Sequence, residues 1–384
     1  MEILETTGQE IIDCGLKYVH NDTCYPALLV IGQFITALQS GKYDPHKTAL
    51  IFMQTGGGCR ASNYISLLRK ALQKAGLGYV PVISFSFAGL EKHSGFQLSL
   101  SMVQRMLYAV LYGDLLMSLL NQTKPYERNQ GESDELAVQW TQKLTADMDS
   151  VRAFSYKQVK QNYREILRSF AAVEKIGEKK IRVGVVGEIY IKYSPLGNNG
   201  LEDFLRSEGA ETVVPGLLDF CLYSIYDATS GHKTYGIKKL TAPLRNFTFN
   251  FLAKKQRDLI KIMKENGSFT VPTPISHTMS LANGYIGLGT KMGEGWLLPA
   301  EILELIDSGV TNIVCAQPFG CLPNHICGKG MIKPIRERNP HVNIVAVDYD
   351  PGATRVNQEN RIKLMLANAA EAREHLDHRQ EITV

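Results

Sequence analysis

The chain offers little from which to build a disulfide scaffold, a basic surface or a membrane anchor. Its 384 residues hold seven cysteines, too few to staple a fold of this size, and an odd number. Lys and Arg total 42 against 38 Asp and Glu, a net charge of +4. That balance argues against a nucleic-acid partner or a charged membrane surface. The opening MEILETTGQEII lacks the basic start and apolar run of a secretory signal. The longest apolar stretch, Leu98 to Leu120, is broken by Arg105 and Asp114 and has helical periodicity. It predicts a buried helix, not a membrane span. No internal repeat is visible. These absences predict a cytoplasmic, reducing setting, where cysteines that matter are metal ligands or catalysts more often than bridges.

What is present is a recurring unit: an apolar β run, a Gly- or Pro-containing turn, then an amphipathic helix. It occurs at Thr48–Thr55 with GGGCR and a helix from about residue 61, followed by Tyr79–Phe85. It recurs at Ile181–Val186 with GEIYIKYSPLGNNG, and at Asn312–Ala316 with QPFGCLPNH, followed by NIVAVDYD. Such runs read as strands buried on both faces, as in parallel sheets. The alternation predicts an α/β fold of two or three Rossmann-like parallel-sheet domains with a helical insertion. The expected divisions are residues 1–95, a helical insertion over 96–175, a second α/β unit over 176–290 and a third over 291–384. The last two are open to forming one domain. The polar stretch Asn121–Glu135 is expected as an exposed loop. GLGTKMG at Gly287–Gly293 follows no clear strand and lacks the spacing of a nucleotide loop.

Three cysteines share one local setting. Cys24 precedes Tyr25-Pro26 and an apolar helix, Cys59 closes GGGC before a helix, and Cys321 follows the strand NIVCA before another helix. Helix N-termini carry unpaired N–H groups and partial positive charge, which favour a thiolate or an anionic sulfur cluster. Loops at strand C-terminal ends are where open α/β sheets bind ligands. Three thiolates suit a [4Fe–4S] cluster with one open iron. Against this, a free cysteine is commonly a small buried hydrophobe, and separations of 35 and 262 residues form no compact ligand code. Cys327, six residues after Cys321, is a candidate fourth metal ligand. Cys14, Cys221 and Cys315 read as structural. A zinc site from Cys321, His325 and Cys327 is a further alternative, with irregular spacing.

At NDTCYPALLVIGQ, QTGGGCRASNYI, GEIYIKY, QPFGCLPNHICGKG and DYDPGATRVNQENRIKLM the chain resembles a known family. It is similar to the C-terminal portion of proteins related to the activators of 2-hydroxyacyl-CoA dehydratases. That portion is itself similar to the iron–sulfur subunits of those dehydratases and to double-cubane cluster proteins. The resemblance implies a [4Fe–4S] cofactor held by Cys24, Cys59 and Cys321, with a double-cubane [8Fe–9S] cluster ranked below it. It also implies an actin/Hsp70-like ATPase activator that carries its own [4Fe–4S] cluster and injects a low-potential electron. The implied substrate is a 2-hydroxyacyl-CoA or other small molecule, and the implied assembly a dimer. No ATPase phosphate loop lies among the 23 residues before Cys24. A separate ATPase, or a longer or split protein, is therefore expected. A cluster-free interaction module is the alternative.

Other residues join this site by position. Glu188 follows a strand as a candidate proton donor, and Tyr190 as a hydrogen-bond donor to bound oxygen. His325 is a candidate acid/base. Gln54, Thr55 and Gln317 end strands. Arg60 beside Cys59 is expected to offset cluster charge or meet a CoA phosphate. Each also has a plain structural reading as a cap or packing residue. Asp348 and Asp350 fit a turn into a helix.

Overall fold

The computed structural model describes residues 2–20, 22–55, 58–85, 99–149, 155–235 and 242–382. Two of the three glycines before Cys59, and residues 95–98 of the expected helical region, lie outside them. The fold is α/β with two parallel sheets.

The chain begins with helices α1 (Gln9–Tyr18) and α2 (Tyr25–Gln39). Gly15 and Gly32 let them cross in backbone contact, because a Cβ on Gly32 would strike the Ile11 carbonyl. Strands β1 (Leu50–Met53) and β2 (Val82–Phe85) pair in parallel, joined through α3 (Tyr64–Lys74). Helices α4 (Leu100–Thr123), α5 (Glu132–Asp149) and α6 (Tyr156–Ala171) follow. The sequence predicts an exposed loop over 121–135. Instead, α4 runs to Thr123, and both Asn121 and Thr123 are buried. The Asn121 amide donates to Glu202 at 2.8 Å, which makes a polar residue a helix-packing contact.

Strand β3 (Ile181–Gly187) leads into the short helices α7 (Ile189–Tyr193) and α8 (Pro195–Asn198), then α9 (Leu201–Ser207) and β4 (Ala210–Val213). Helices α10 (Leu217–Tyr235), α11 (Ala242–Asn266), α12 (Ile275–Leu281) and α13 (Leu297–Asp307) precede β5 (Asn312–Pro318). The chain closes with α14 (Gly330–Arg338), β6 (Asn343–Tyr349) and α15 (Arg355–Ile382). The four strands form one parallel sheet in the order β4-β3-β5-β6, so the second and third sequence units share a sheet.

Both faces of that sheet are covered, as its continuous apolar strands require. One face packs Val183, Val185, Val314 and Val347 against α1, α2, α9 and α15. The other sets Val186, Ile313 and Cys315 against Ile302 and Leu305 of α13 and Ile335 of α14. Helix α2 is apolar nearly all round and has two partners. Tyr25, Leu28 and Leu29 face the large sheet, while Ile31, Ile35 and Leu38 join the small-sheet core. Each such side chain contributes about 1.5–3 kcal/mol on burial. The helix N-terminus, with Cys24, is thereby clamped between the two sheets. A third core, from α4, α5, α6, α10, α11 and the start of α13, is all-helical. Among the described residues no helix is long and apolar enough to cross a membrane.

Candidate functional site

The C-terminal ends of β1, β3 and β5 point their following loops at the N-terminus of α2. Cys24 caps that helix in extended conformation, φ −72° and ψ 147°. Pro26 supplies the preset φ of a first helical turn. Cys59 has nearly the same backbone, φ −74° and ψ 141°, before a 3₁₀ turn over Arg60–Asn63. Cys321 follows β5 and precedes a π-helical turn over Asn324–Lys329.

The three loops are fastened together. The Tyr25 N–H donates to the Phe319 carbonyl at 2.9 Å. Gly320 adopts φ +74°, and a Cβ there would lie 3.0 Å from the Thr23 carbonyl and 3.1 Å from Cys24 Cα. Only glycine permits both that φ and that approach. Arg60 donates to the Asp22 carbonyl, which ties the Cys59 loop to the Cys24 loop. Cys24 packs with Ala27, Tyr64, Phe52 and Ala61, and its Sγ lies 2.5 Å from the Tyr64 hydroxyl. Asn324 donates to Cys321 Sγ at 3.3 Å.

Two carboxylates complete the arrangement. Glu188 caps α7, accepting from the Ile191 N–H at 2.9 Å. Glu294, buried in the loop before α13, accepts from Ile189 N–H at 3.3 Å and from the Asn324 amide at 3.2 Å. Burial, then the charge of Glu294, pushes the Glu188 carboxyl up to about 8. Burial likewise raises Glu294.

The thiols overturn one expectation. Helix-start positions predicted lowered thiol pKa values, yet all three are raised. Burial, followed by Glu294, Cys24 and Glu188, pushes Cys59 up to about 11. Burial raises Cys24, against the hydrogen bonds of Tyr64 and Ala27. Burial and the two glutamates hold Cys321 well above the ordinary thiol range. Desolvation and nearby negative charge outweigh a few N–H dipoles. Each of the three thiols feels Glu188, and Cys59 and Cys321 also feel Glu294, so these groups lie around one space.

The remaining candidates are placed as follows. Cys327 is buried on the π-helical turn, with Glu294 contributing to its raised pKa. Gln54 is fully engaged: its amide donates to the Ser62 carbonyl and its oxygen accepts from Ser84, each at 2.7 Å. It braces the turn after Cys59. Tyr190 lies beside Ser194, and burial raises its hydroxyl pKa. His325 is half-buried, and its ring makes no hydrogen bond among the described residues. Asp348 pairs with Lys329 at 3.2 Å, and Asp350 accepts from Gly352 N–H in a turn. Cys315 lies in the sheet core and Cys14 against the small-sheet core, while Cys221 is on α10.

Glu294, Tyr64 and Asn324 are additional residues of the site. Tyr64 and Asn324 fall inside the GGGCRASNY and PFGCLPNH segments, which were readable as motifs. Glu294 had only its glycine-rich neighbourhood as a signal.

The donor set of three thiols on three braced loops suits an iron–sulfur cluster chemically. Thr55 Oγ1, Gln317 Oε1 and Asn324 Oδ1 are buried polar atoms without a partner among the described residues at its margin. Among the described residues, no three His, Cys, Asp or Glu side chains are already drawn into a metal-holding group. Comparison with models of known protein families, with curated proteins and with solved structures yields no match.

Proposed function

We propose that the chain is a cytoplasmic [4Fe–4S]-binding redox protein of the 2-hydroxyacyl-CoA dehydratase type, with Cys24, Cys59 and Cys321 as cluster ligands. The observation that carries the reading is that three thiols, two buried and one half-buried, sit on three loops fastened together, with the raised carboxyls Glu188 and Glu294 beside them. A cluster held there supplies low-potential one-electron chemistry with an iron open to substrate. The electron source in this reading is a separate actin/Hsp70-like ATPase, and the substrate an acyl-CoA or other small molecule.

The chain's own residues have definite tasks. Tyr64 and Asn324 orient the Cys24 and Cys321 sulfurs by hydrogen bonding. Arg60 and Gln54 hold the Cys59 loop in register. Glu188 keeps a proton near neutrality that it can give to a leaving hydroxyl. Met292, Phe319, Leu322 and Ile326 present exposed apolar surface on the neighbouring loops, suited to an acyl chain or a docking partner. Cys14, Cys221 and Cys315 sit elsewhere in the fold, so the proposal keeps to one cubane and not two.

Anaerobic reconstitution followed by iron and sulfide assay and EPR tests the reading. Brown protein with about four irons, lost in Cys59→Ser or Cys321→Ser, is the expected result. Protein that stays colourless and iron-free would overturn it in favour of a cluster-free interaction module. Stoichiometric zinc without iron would point instead to Cys321, His325 and Cys327.

A further inference from the structure

A second group of acids, one buried and two half-buried, lies away from the thiols. A cleft of about 110 Å³ opens between α4, β4, α11 and α13. Asp114, Asp219 and Glu304 line it from three different helices. Asp114 accepts from the Leu217 and Leu218 N–H groups, each at 2.8 Å. Asp219 is 4% exposed and accepts from Gln256 at 2.6 Å. Glu304 accepts from Thr278 at 3.4 Å. The buried cation Lys192, whose charge reaches Asp114, is committed to both oxygens of Glu301 at 2.9 and 3.2 Å. Arg182 on the outer wall is paired with Glu211 at 3.4 Å. The cleft therefore gathers three carboxyls whose burial favours a shared or retained proton, Asp114 being pushed up to about 6 and Glu304 to about 7, and its one lining cation, Arg182, is already paired, so an incoming cation would take the place of a proton.

A second observation points to a ligand. Thr212 lines the cleft, is 1% exposed, and its hydroxyl has no hydrogen-bond partner among the described residues. An unmade hydrogen bond at such depth is costly and marks a place for a polar group from outside. The rest of the wall is aliphatic, including Leu111, Leu115, Leu259 and Met263. The exposed rim residues Thr270 and Ser308 give a way in.

We propose that this cleft binds a small aliphatic ammonium ion, its charge met by Asp219 and Glu304, its N–H group by Thr212 and its carbon body by the leucines. The mixed wall favours an organic cation over a bare metal ion, and no metal-holding group of acids occurs among the described residues. A cavity of about 150 Å³ takes benzene, so this one suits a body of about four or five heavy atoms.

The test uses the full chain and no iron, so it is independent of the cluster reading. Calorimetric or NMR titration near neutral pH compares n-butylammonium with 1-butanol at matched ionic strength. The expected result is saturable binding of the ammonium, at least about tenfold tighter than the alcohol. Asp219→Asn, which keeps an acceptor for Gln256, removes that preference. Thr212→Val weakens the ammonium about threefold. Circular dichroism checks each fold, and Glu304→Gln replaces Asp219→Asn if the latter does not fold. Absence of saturable binding overturns the proposal, as does equal affinity for alcohol and ammonium. A preference that survives both acid variants does so too.

Discussion

Lys192 and Glu301 make a buried ion pair whose removal has a calculable cost. Their side chains are 0% and 2% exposed, and the ammonium reaches both carboxylate oxygens. Lys192→Met strands Glu301 in a dry environment, where its cheapest escape is to take a proton. Protonating a carboxyl of ordinary pKa near 4.5 at pH 7 costs about 1.4 kcal/mol per unit, or about 3 kcal/mol. That is an upper value, because burial already raises Glu301 even with Lys192 beside it. Glu301→Gln strands the ammonium instead, and its neutralisation costs about 5 kcal/mol at pH 7 by the same reckoning. Both figures agree with the 3–5 kcal/mol or so that follows loss of one partner in a buried pair. The double variant Lys192→Met with Glu301→Leu is expected to be more stable than Glu301→Gln alone. Urea unfolding near pH 7 measures all three. The sign with pH is fixed: a carboxyl raised in the folded state costs stability above its unfolded pKa and nothing below it. The Lys192→Met penalty therefore shrinks as pH falls from about 7 to about 5. A penalty under about 1 kcal/mol, or one that does not change over that interval, would refute the reasoning.

Two further outcomes are expected. Asp227 is raised by burial from 3.8 to about 6, so the folded chain holds a proton that the unfolded chain releases. Its stabilising contribution is complete below about pH 4 and is lost as pH rises through about 6, a change of up to about 3 kcal/mol. Asp227→Asn should flatten that part of the stability–pH curve, and an unchanged slope counts against the assignment. Gly320→Ala forces a Cβ to within 3.0 Å of the Thr23 carbonyl at φ +74°, and should cost about 1–3 kcal/mol in a denaturant melt. A loss below about 0.5 kcal/mol would mean that the Cys24 and Cys321 loops are not held as described.

The sheet was legible because its strands are apolar runs with turn residues at both ends. NIVCA became β5, which runs two residues further, and NIVAVDYD became β6 less its last residue. The 121–135 stretch misled because polar composition does not reveal a partner such as Glu202, 81 residues away. The three cysteine loops were visible one by one. Their meeting was not, because α2 brings them together through packing on two sheets, and no local pattern encodes that. Glu294 was invisible for the same reason: its neighbours Ile189 and Asn324 come from distant segments.

The misjudged thiol pKa values carry the more general lesson. A helix N-terminus lowers a thiol pKa only when water or cations also attend the sulfur. Here, strand ends from both sheets close over the α2 terminus, and the same closure that gathers the thiols strips them of solvent. Glu188 and Glu294 arrive on two of the converging loops and add negative charge. Full ionisation of three thiols and two carboxyls would place five negative charges against Arg60 and Lys192, and Lys192 already serves Glu301. In so enclosed a space, protons are the least costly counter-ions. The free chain therefore stores protons at this site, and any cationic group that takes the sulfurs must displace them. On the proposed reading, cluster assembly then releases protons and becomes more favourable as pH rises. Glu188, raised to about 8 by the same crowding, is left beside the sulfurs as a proton reserve.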